Sequence, residues 1–284
     1  MQSFTGNVAV VTGAGSGIGR ALAERFAAEG MKLVLADVEA EPLARVERDL
    51  RANGTEVLAV RTDVSQAAEV EALAERTLAA FGAVHVVCNN AGVALGKTSW
   101  DLTVADWEWV LGVNLWGVIH GIRTFVPIML RQGTDGHVVN TASVAGLLAS
   151  GFKPSYDVSK FGVVALSESL YFELAALGSR VKVSVLCPGP VKTSIMEAAR
   201  NRPGRLENEA SVEAAGHRPE AVEYIERLGD AVRLRGGAPA EVAEQVLQAI
   251  REERFYVLPH EYLDDQIRAR TEAILARGNP PPRP

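Results

Sequence analysis

Tyr156 and Lys160 stand four residues apart in Tyr-Asp-Val-Ser-Lys, and Ser143 lies thirteen residues upstream. A free phenol has a pKa of about 10 and is a poor base near neutrality, so it needs a neighbouring cation before it can take a proton. On a helix, positions i and i+4 share a face, which would bring the Lys160 ammonium within reach of the Tyr156 oxygen and favour phenolate. Ser143, at the expected end of a strand, would hydrogen-bond the same substrate oxygen while Tyr156 gives or takes the proton. A bare Tyr-x-x-x-Lys is common on solvated helices where it does no chemistry. Its weight here comes from the elements around it.

Short β-branched runs alternate with longer helical patterns, which predicts an α/β fold: a doubly wound parallel sheet with helices on both faces. Strands are expected at 7–12, 32–36, 56–61, 84–88, 137–142, 181–187 and 255–258, seven in one sheet. Helices are expected at 17–29, 40–53, 66–81, 103–132, 155–177, 239–253 and 261–277, with Thr103 and Asp106 placed to cap the long central one. The alternation predicts a single domain over 1–284. The charged, glycine- and proline-rich stretch 190–238 is too long for an ordinary connection and follows the carboxyl end of a strand, where ligands sit in such sheets, so a substrate lid is expected there. The region 260–284 reads as a terminal helix with a proline-rich tail.

At the first strand, Thr12-Gly13-Ala14-Gly15-Ser16-Gly17-Ile18-Gly19 turns directly into a helix. Glycines there permit close backbone approach, and the amides and dipole of a helix start attract a pyrophosphate. No register satisfies G-x-G-x-x-G, and the Gly-Lys-Ser/Thr ending of a triphosphate loop is missing, which disfavours kinase or ATPase chemistry. Asp37 follows the second strand, eighteen residues beyond Gly19, where an acid accepts hydrogen bonds from an adenosine ribose and repels a 2′-phosphate. It could equally cap the helix near 40. Neither Ser16 nor Val38 supplies a compensating cation, so NAD is expected over NADP. Asp63 and Val64 would meet the adenine, Asp63 doubling as a helix cap. Asn90, Ala91 and Gly92 would let backbone pass beneath the cofactor.

With 29 basic against 35 acidic residues, a charge of −6 and one small basic cluster at Arg200, Arg202 and Arg205, nothing favours nucleic acid as a partner. No apolar run suggests a membrane span, and the glycine-rich loop arrives before a signal-peptide core is complete, so a cytoplasmic protein is expected. Cys88 and Cys187, each in an expected buried strand, suit reduced core thiols. The five histidines are scattered without metal-ligand spacing, which favours structural roles.

These pieces, in this order, resemble the short-chain dehydrogenase/reductase family in its single-domain, Rossmann-like form. The resemblance runs from about residue 5 to 195 and rests on Thr12-Gly13-x-x-x-Gly17-x-Gly19, Asn89-Asn90-Ala91-Gly92, Asn114, Ser143, Tyr156-x-x-x-Lys160 and Pro188-Gly189-x-Val191-x-Thr193. Ala142 departs from a frequent serine, and the 190–238 stretch exceeds that of the shortest members. The resemblance implies an NAD(P)-dependent secondary-alcohol dehydrogenase or ketone reductase. In it, Tyr156 is the acid/base, Ser143 orients the reacting oxygen, and Lys160 binds the nicotinamide ribose and lowers the Tyr156 pKa. Asn114 looks like the residue that kinks the central helix and holds a water leading to Lys160, and Thr193 like the one that grips the carboxamide. It also implies a homodimer or homotetramer built on the helices near 103–132 and 155–177, with Trp107, Trp109 and Trp116 buried in the subunit or in that interface.

Segments after Gly92, Ser143 and Gly189 would bound the small-molecule substrate with Val93, Ala94, Leu95, Leu147, Leu148, Phe152, Ile195 and Met196. This apolar wall predicts an aromatic, alicyclic or steroid-like body. Lys97, Lys153 or Arg200 could instead receive a carboxylate. A hydrolase is disfavoured because no G-x-S-x-G is present. The remaining alternatives are a sugar-nucleotide epimerase or dehydratase, which would need a larger carboxyl-terminal domain, and a dinucleotide sensor, which would have no use for the proton relay.

Overall fold

The computed structural model describes residues 1–210 and 218–282. Seven parallel strands form one sheet: β1 (Val8–Thr12), β2 (Lys32–Asp37), β3 (Val57–Arg61), β4 (Val86–Asn89), β5 (Gly136–Thr141), β6 (Val181–Leu186) and β7 (Tyr256–Val257), in the order β3-β2-β1-β4-β5-β6-β7. Strands covered on both faces read as continuous apolar runs, and β1, Val-Ala-Val-Val-Thr, is buried at every position. The alternation of side chains then divides them between two layers. Ala9, Val11, Leu33, Leu35 and Cys88 face Leu22, Phe26, Val246 and Ile250, whereas Val8, Val10, Val34, Val87 and Val138 face Leu73, Phe125, Met129 and Leu170.

The first layer is made by α1 (Gly17–Ala28) and α2 (Ala40–Ala52) with α8 (Pro239–Glu252), and the second by α3 (Ala67–Phe81), α4 (Val104–Leu111), α5 (Gly117–Gln132) and α6 (Pro154–Ala176). In α2, Leu43, Val46 and Leu50 recur on one face and are its buried residues, the others being charged or small. The sheet order reverses between β1 and β4, and the crevice beyond their carboxyl ends is where such folds bind ligands.

The expected fold stands, with local corrections. The central helix starts with the Thr103–Asp106 capping box, yet α4 and α5 are joined by a π-helical turn at Gly112–Trp116. The whole Val104–Gln132 helix is long and apolar enough to cross a membrane by composition, contrary to the sequence reading; it packs instead as a core helix, burying Trp109, Val118, Phe125 and Met129. Trp109 is thus in the subunit core, Trp107 is partly buried and Trp116 is exposed. The fourth strand starts at Val86 rather than at 84, since the Val84 amide and carbonyl bond the Gln132 side chain. Cys187 lies one residue beyond β6, and it and Cys88 are both buried free thiols. The last helix shortens to α9 (Asp264–Leu275) after a 3-10 turn at Glu261–Leu263.

The 190–238 segment contains 3-10 turns at Ile195–Asn201 and Gly204–Leu206 and a helix, α7 (Pro219–Arg235). Its two ends are joined by a parallel bridge between Val191 and Gly237, with Lys192 N donating to Gly237 O and Gly237 N donating to Pro190 O, both at 3.0 Å.

Candidate active site

The turn after β1 is built by Thr12. Its hydroxyl donates to Cys88 O at 3.3 Å and accepts from Asn90 N and Ala91 N at 2.9 and 3.1 Å, while Asn90 Nδ2 donates to Thr12 O at 2.9 Å. This binds the ends of β1 and β4 so tightly that a Cβ on Gly13, which has φ +65°, would lie 2.9 Å from Ala91 Cα. Ser16 takes the N-cap position of α1 without a side-chain cap bond, which leaves the first-turn amides open to an anion. Gly13, Ser16, Gly17 and Ile18 line the cavity; Gly19 does not, because it lies beneath the turn, where a Cβ would sit 2.1 Å from Gly13 O.

Asp37 Oδ2 accepts from Gly15 N at 2.8 Å and its Oδ1 from Glu39 N at 2.9 Å, so one carboxylate ties the glycine-rich turn to the entry of α2. Glu39, not Asp37, holds the N-cap position of that helix. Burial pushes the Asp37 carboxyl up, opposed by these amides. Asp63 lines the cavity beside Val64 and also organises the local turn, accepting from Ser65 N at 3.0 Å and Ser65 Oγ at 2.7 Å.

Tyr156 and Lys160 lie in the first two turns of α6, where Pro154 opens the helix with its φ already set. Lys160 is buried, and its ammonium donates to Thr141 O at 2.9 Å and stands 5.5 Å from the centre of the Tyr156 ring. Burial lowers the Lys160 pKa to about 8. Burial also raises the Tyr156 phenol to about 12, opposed by its hydrogen bond with Ser143. The expected lowering of the phenol by Lys160 is therefore not what dominates: the ring sits against a desolvated wall, and the nearest counterweight is the Ser143 hydroxyl. Ser143 Oγ is itself placed by Ala145 N, which donates at 3.1 Å, and lies 3.3 Å from Pro188 O.

Asn114 sits in the π turn, fully buried and outside the cavity lining. Its Oδ1 accepts from Val93 N at 2.8 Å, and its Nδ2 donates to Val93 O at 2.9 Å and Ser159 Oγ at 3.1 Å. It thus acts on the site by holding the backbone after β4. A Cβ on Gly92 would be 3.5 Å from Asn114 Oδ1 and 3.6 Å from Lys160 Nζ, so these three groups converge.

All these surfaces bound one cavity of about 1530 Å³, which Asn90, Ala91, Gly92, Ser143, Tyr156, Lys160, Pro188, Gly189, Val191 and Thr193 also line. Single-ligand pockets are roughly 300–1,000 Å³, so there is room for a dinucleotide and a substrate together. The donor set fits such a cofactor: open helix amides, a carboxylate at the ribose position and a lysine beside Tyr156.

Of the expected apolar wall, Val93, Ala94, Leu148, Phe152, Ile195 and Met196 line the cavity. Leu95 and Leu147 do not. Leu95 packs with Trp109, Val110, Ala198 and Leu206, and Leu147 with Val118, Val163 and Val185. Phe152 adopts φ +62°, an unfavourable region for a bulky residue, and its ring lies 5.6 Å from that of Tyr224, whose hydroxyl donates to Ser150 Oγ at 3.0 Å. The cations expected to greet a carboxylate are engaged: Lys97 with buried Asp106 at 3.2 Å, Lys153 with Asp157, and Arg200 with Glu39 at 2.8 Å.

Three contributions escaped the sequence reading. Arg200 reaches across the cavity to Glu39 through two bonds of 2.8 and 2.9 Å. His260 Nδ1 accepts from Gly189 N at 3.1 Å, and burial lowers its pKa, as suits a neutral acceptor. Helix α7 lines the cavity through Tyr224, Leu228, Ala231 and Val232; the sequence reading expected a lid in this stretch without placing a helix or any of these residues in it. The spacings of 161 and 71 residues explain the first two, since nothing local links the partners.

The short chain dehydrogenase family model matches residues 7–204. The structure superposes with a TM-score of 0.96 on a short chain dehydrogenase/reductase from Burkholderia phymatum solved in complex with NAD, at 48% identity over 100% of this chain and 99% of that one. In sequence it is 31% identical over 280 residues to a CLA biosynthesis dehydrogenase/reductase of Lactiplantibacillus plantarum, covering 99% of this chain and 97% of the relative. It is 39% identical over 203 residues to the 1-deoxy-11-beta-hydroxypentalenate dehydrogenase of Streptomyces avermitilis, covering 70% and 74% of the two chains. The chain belongs to the short-chain dehydrogenase/reductase family and is an oxidoreductase of the NAD(P)-dependent, Rossmann-fold type.

Proposed function

We propose that this short-chain dehydrogenase interconverts a secondary alcohol and a ketone on an apolar substrate, with NAD as its cofactor and Tyr156 as the acid/base. The observation that carries this reading is that Ser143, Tyr156 and Lys160 open onto the same cavity as the unsatisfied amides of α1. Bound nicotinamide would supply the hydride acceptor or donor; the chain supplies position and protons.

Gly13, Ser16, Gly17 and Ile18 would hold the pyrophosphate, Asp37 the adenosine ribose, and Lys160 the second ribose. Thr193 and Val191 follow the Pro188-Gly189 turn and would fix the nicotinamide end. Ser143 Oγ would orient the substrate oxygen, and Tyr156 would donate its proton in reduction or accept one in oxidation. A phenol raised to about 12 is protonated at neutrality, which suits the donor role directly. Oxidation needs the phenolate, so its rate should climb with pH through the alkaline range. The choice of NAD rests on Asp37, whose carboxylate would accept from ribose hydroxyls and repel a 2′-phosphate. The relatives' names, a dehydrogenase of a hydroxypentalenate among them, support hydrophobic alcohols as substrates. The exposed Val158, Ala165 and Phe172, seven residues apart along α6, support pairing of that helix with a second copy.

The test is Tyr156→Phe, followed by appearance of reduced cofactor against secondary alcohols at several pH values. Turnover is expected to fall by about 10²–10⁴ and to lose its alkaline rise, while NAD affinity stays within about threefold. A variant that keeps most of its rate would remove Tyr156 as the acid/base. Asp37→Ala should weaken NAD by about tenfold and NADP much less; equal losses in calorimetric titrations would make Asp37 a turn-forming residue only.

A further inference from the structure

The charged side chains around the cavity divide by position. Asp37, Glu39 and Asp63, with Arg61 among them, stand at or just after the ends of β2 and β3, on the dinucleotide arm, and Glu108 lines the cavity from α4. The 190–238 segment brings Arg200, Arg202, Arg205, Arg227 and Arg235 to the lining. Three of these have carboxylate partners close by: Arg200 with Glu39 at 2.8 Å, Arg202 with Asp106 at 2.6 Å and Arg205 with Glu108 at 2.6 Å. The other two belong to α7.

The cavity-lining residues of α7, Tyr224, Arg227, Leu228, Ala231, Val232 and Arg235, recur at spacings of three and four or their sums. They therefore form one stripe along the helix, apolar in the middle, with a guanidinium at each end of it about 12 Å apart at 1.5 Å per residue. Arg227 keeps Glu223 at 4.0 Å. Arg235 makes no ion pair or side-chain hydrogen bond among the described residues. The next residue, Gly236, packs against the end of the Pro188-Gly189 segment, where a Cβ on it would lie 2.9 Å from Lys192 N and 3.0 Å from Val191 C. Gly189 follows Pro188, whose carbonyl is beside Ser143 Oγ. Arg235 thus stands exposed at the rim of the cavity beside the Pro188–Val191 segment, and the described lining residues of that segment and of α7 include no carboxylate. A guanidinium beside an apolar wall and without a counter-ion suits a planar, bidentate anion.

We propose that Arg235 is an anion subsite of the substrate cavity, and that the substrate is a secondary alcohol or ketone whose apolar body carries a carboxylate. The identity of the substrate rests on the oxidoreductase reading above; the subsite itself does not require hydride transfer. Calorimetry can test it with ketones titrated into protein saturated with oxidised NAD, a combination that cannot react. Two matched pairs serve as probes: 4-acetylbenzoate with its methyl ester, and 9-oxodecanoate with its methyl ester. The acid of at least one pair should bind about fivefold to tenfold more tightly than the ester. Arg235→Gln should abolish that difference with ester affinity changed less than about twofold, and Arg235→Lys should retain part of it. Arg233→Gln, whose partner is Asp230 and which is outside the lining, should leave it intact. The subsite is overturned if neither acid outbinds its ester, weak or absent binding of all four included, or if Arg235→Gln lowers both members equally. Oxidation of the corresponding alcohols with NAD judges the other reading separately. Acid selectivity without hydride transfer would leave an anion site on a protein that is not this dehydrogenase, and turnover of esters as fast as acids would keep the dehydrogenase and sink the subsite.

Discussion

On the dinucleotide arm of the cavity, the turn between β1 and α1 is fixed by side chains that bond main-chain amides: Thr12 Oγ1 accepts from Asn90 N and Ala91 N, and Asp37 accepts from Gly15 N and Glu39 N. On the substrate arm, the 190–238 segment is fastened by side chains reaching distant partners, Arg202 and Asn208 to Asp106, Arg205 to Glu108 and Arg200 to Glu39. Bonds from a side chain to amides fix the backbone itself, and at Gly13 and Gly19 a Cβ would lie 2.9 and 2.1 Å from backbone atoms, which leaves little freedom in residue identity. Fastening between pairs of side chains constrains chiefly the paired residues, and several of the residues between them line the cavity. The contrast accords with the proposed division between a fixed cofactor and a variable substrate.

Three substitutions probe this contrast. The largest effect is expected at Asp106, the buried carboxylate that accepts from Lys97, Arg202, Asn208 and the Thr103 amide. Asp106→Ala removes the buried carboxylate shared by Lys97 and Arg202 and should cost about 3–5 kcal/mol in urea unfolding; a loss below about 1 kcal/mol would mean that the 190–238 segment is anchored elsewhere. Next comes Gly19→Ala, whose new Cβ meets Gly13 O at 2.1 Å. It should cost about 1–3 kcal/mol and disrupt NAD binding together, and a variant with native stability and affinity would show that the turn can yield. The smallest change is expected for Arg200→Ala. Its pair with Glu39 is partly exposed, so stability should fall by no more than about 1 kcal/mol, with KM for substrate rising modestly and kcat retained. A larger stability loss than at Asp106 would invert the contrast.

How much of this was legible depended on sequence distance. The strands were readable because burial on both faces makes them apolar throughout, and the glycine-rich turn because its steric demands are local. Tyr156, Lys160 and Ser143 were found through spacing on consecutive elements. Leu95 and Leu147 were assigned to the wall but pack into the core, since an apolar side chain in a loop carries no sign of which way it turns. Lys97 was offered as a receiver for a substrate carboxylate, whereas its partner is Asp106, a carboxylate that also caps a helix nine residues on. The α7 stripe was invisible for a related reason: six lining positions at helical spacing are diluted by charged neighbours that face water, and the helix has to be docked before its inner face is known.

The bridge between Val191 and Gly237 brings the two ends of the 190–238 segment together at a single point on the scaffold. As far as the sheet is concerned, the chain could pass from Val191 to Gly237 through a short connection. Closing a longer loop between fixed ends costs only about 0.6 kcal/mol per doubling of its length. The segment is therefore an exchangeable cassette: grafting one of different length between these two residues should retune what the enzyme accepts while the scaffold and its chemistry stay in place.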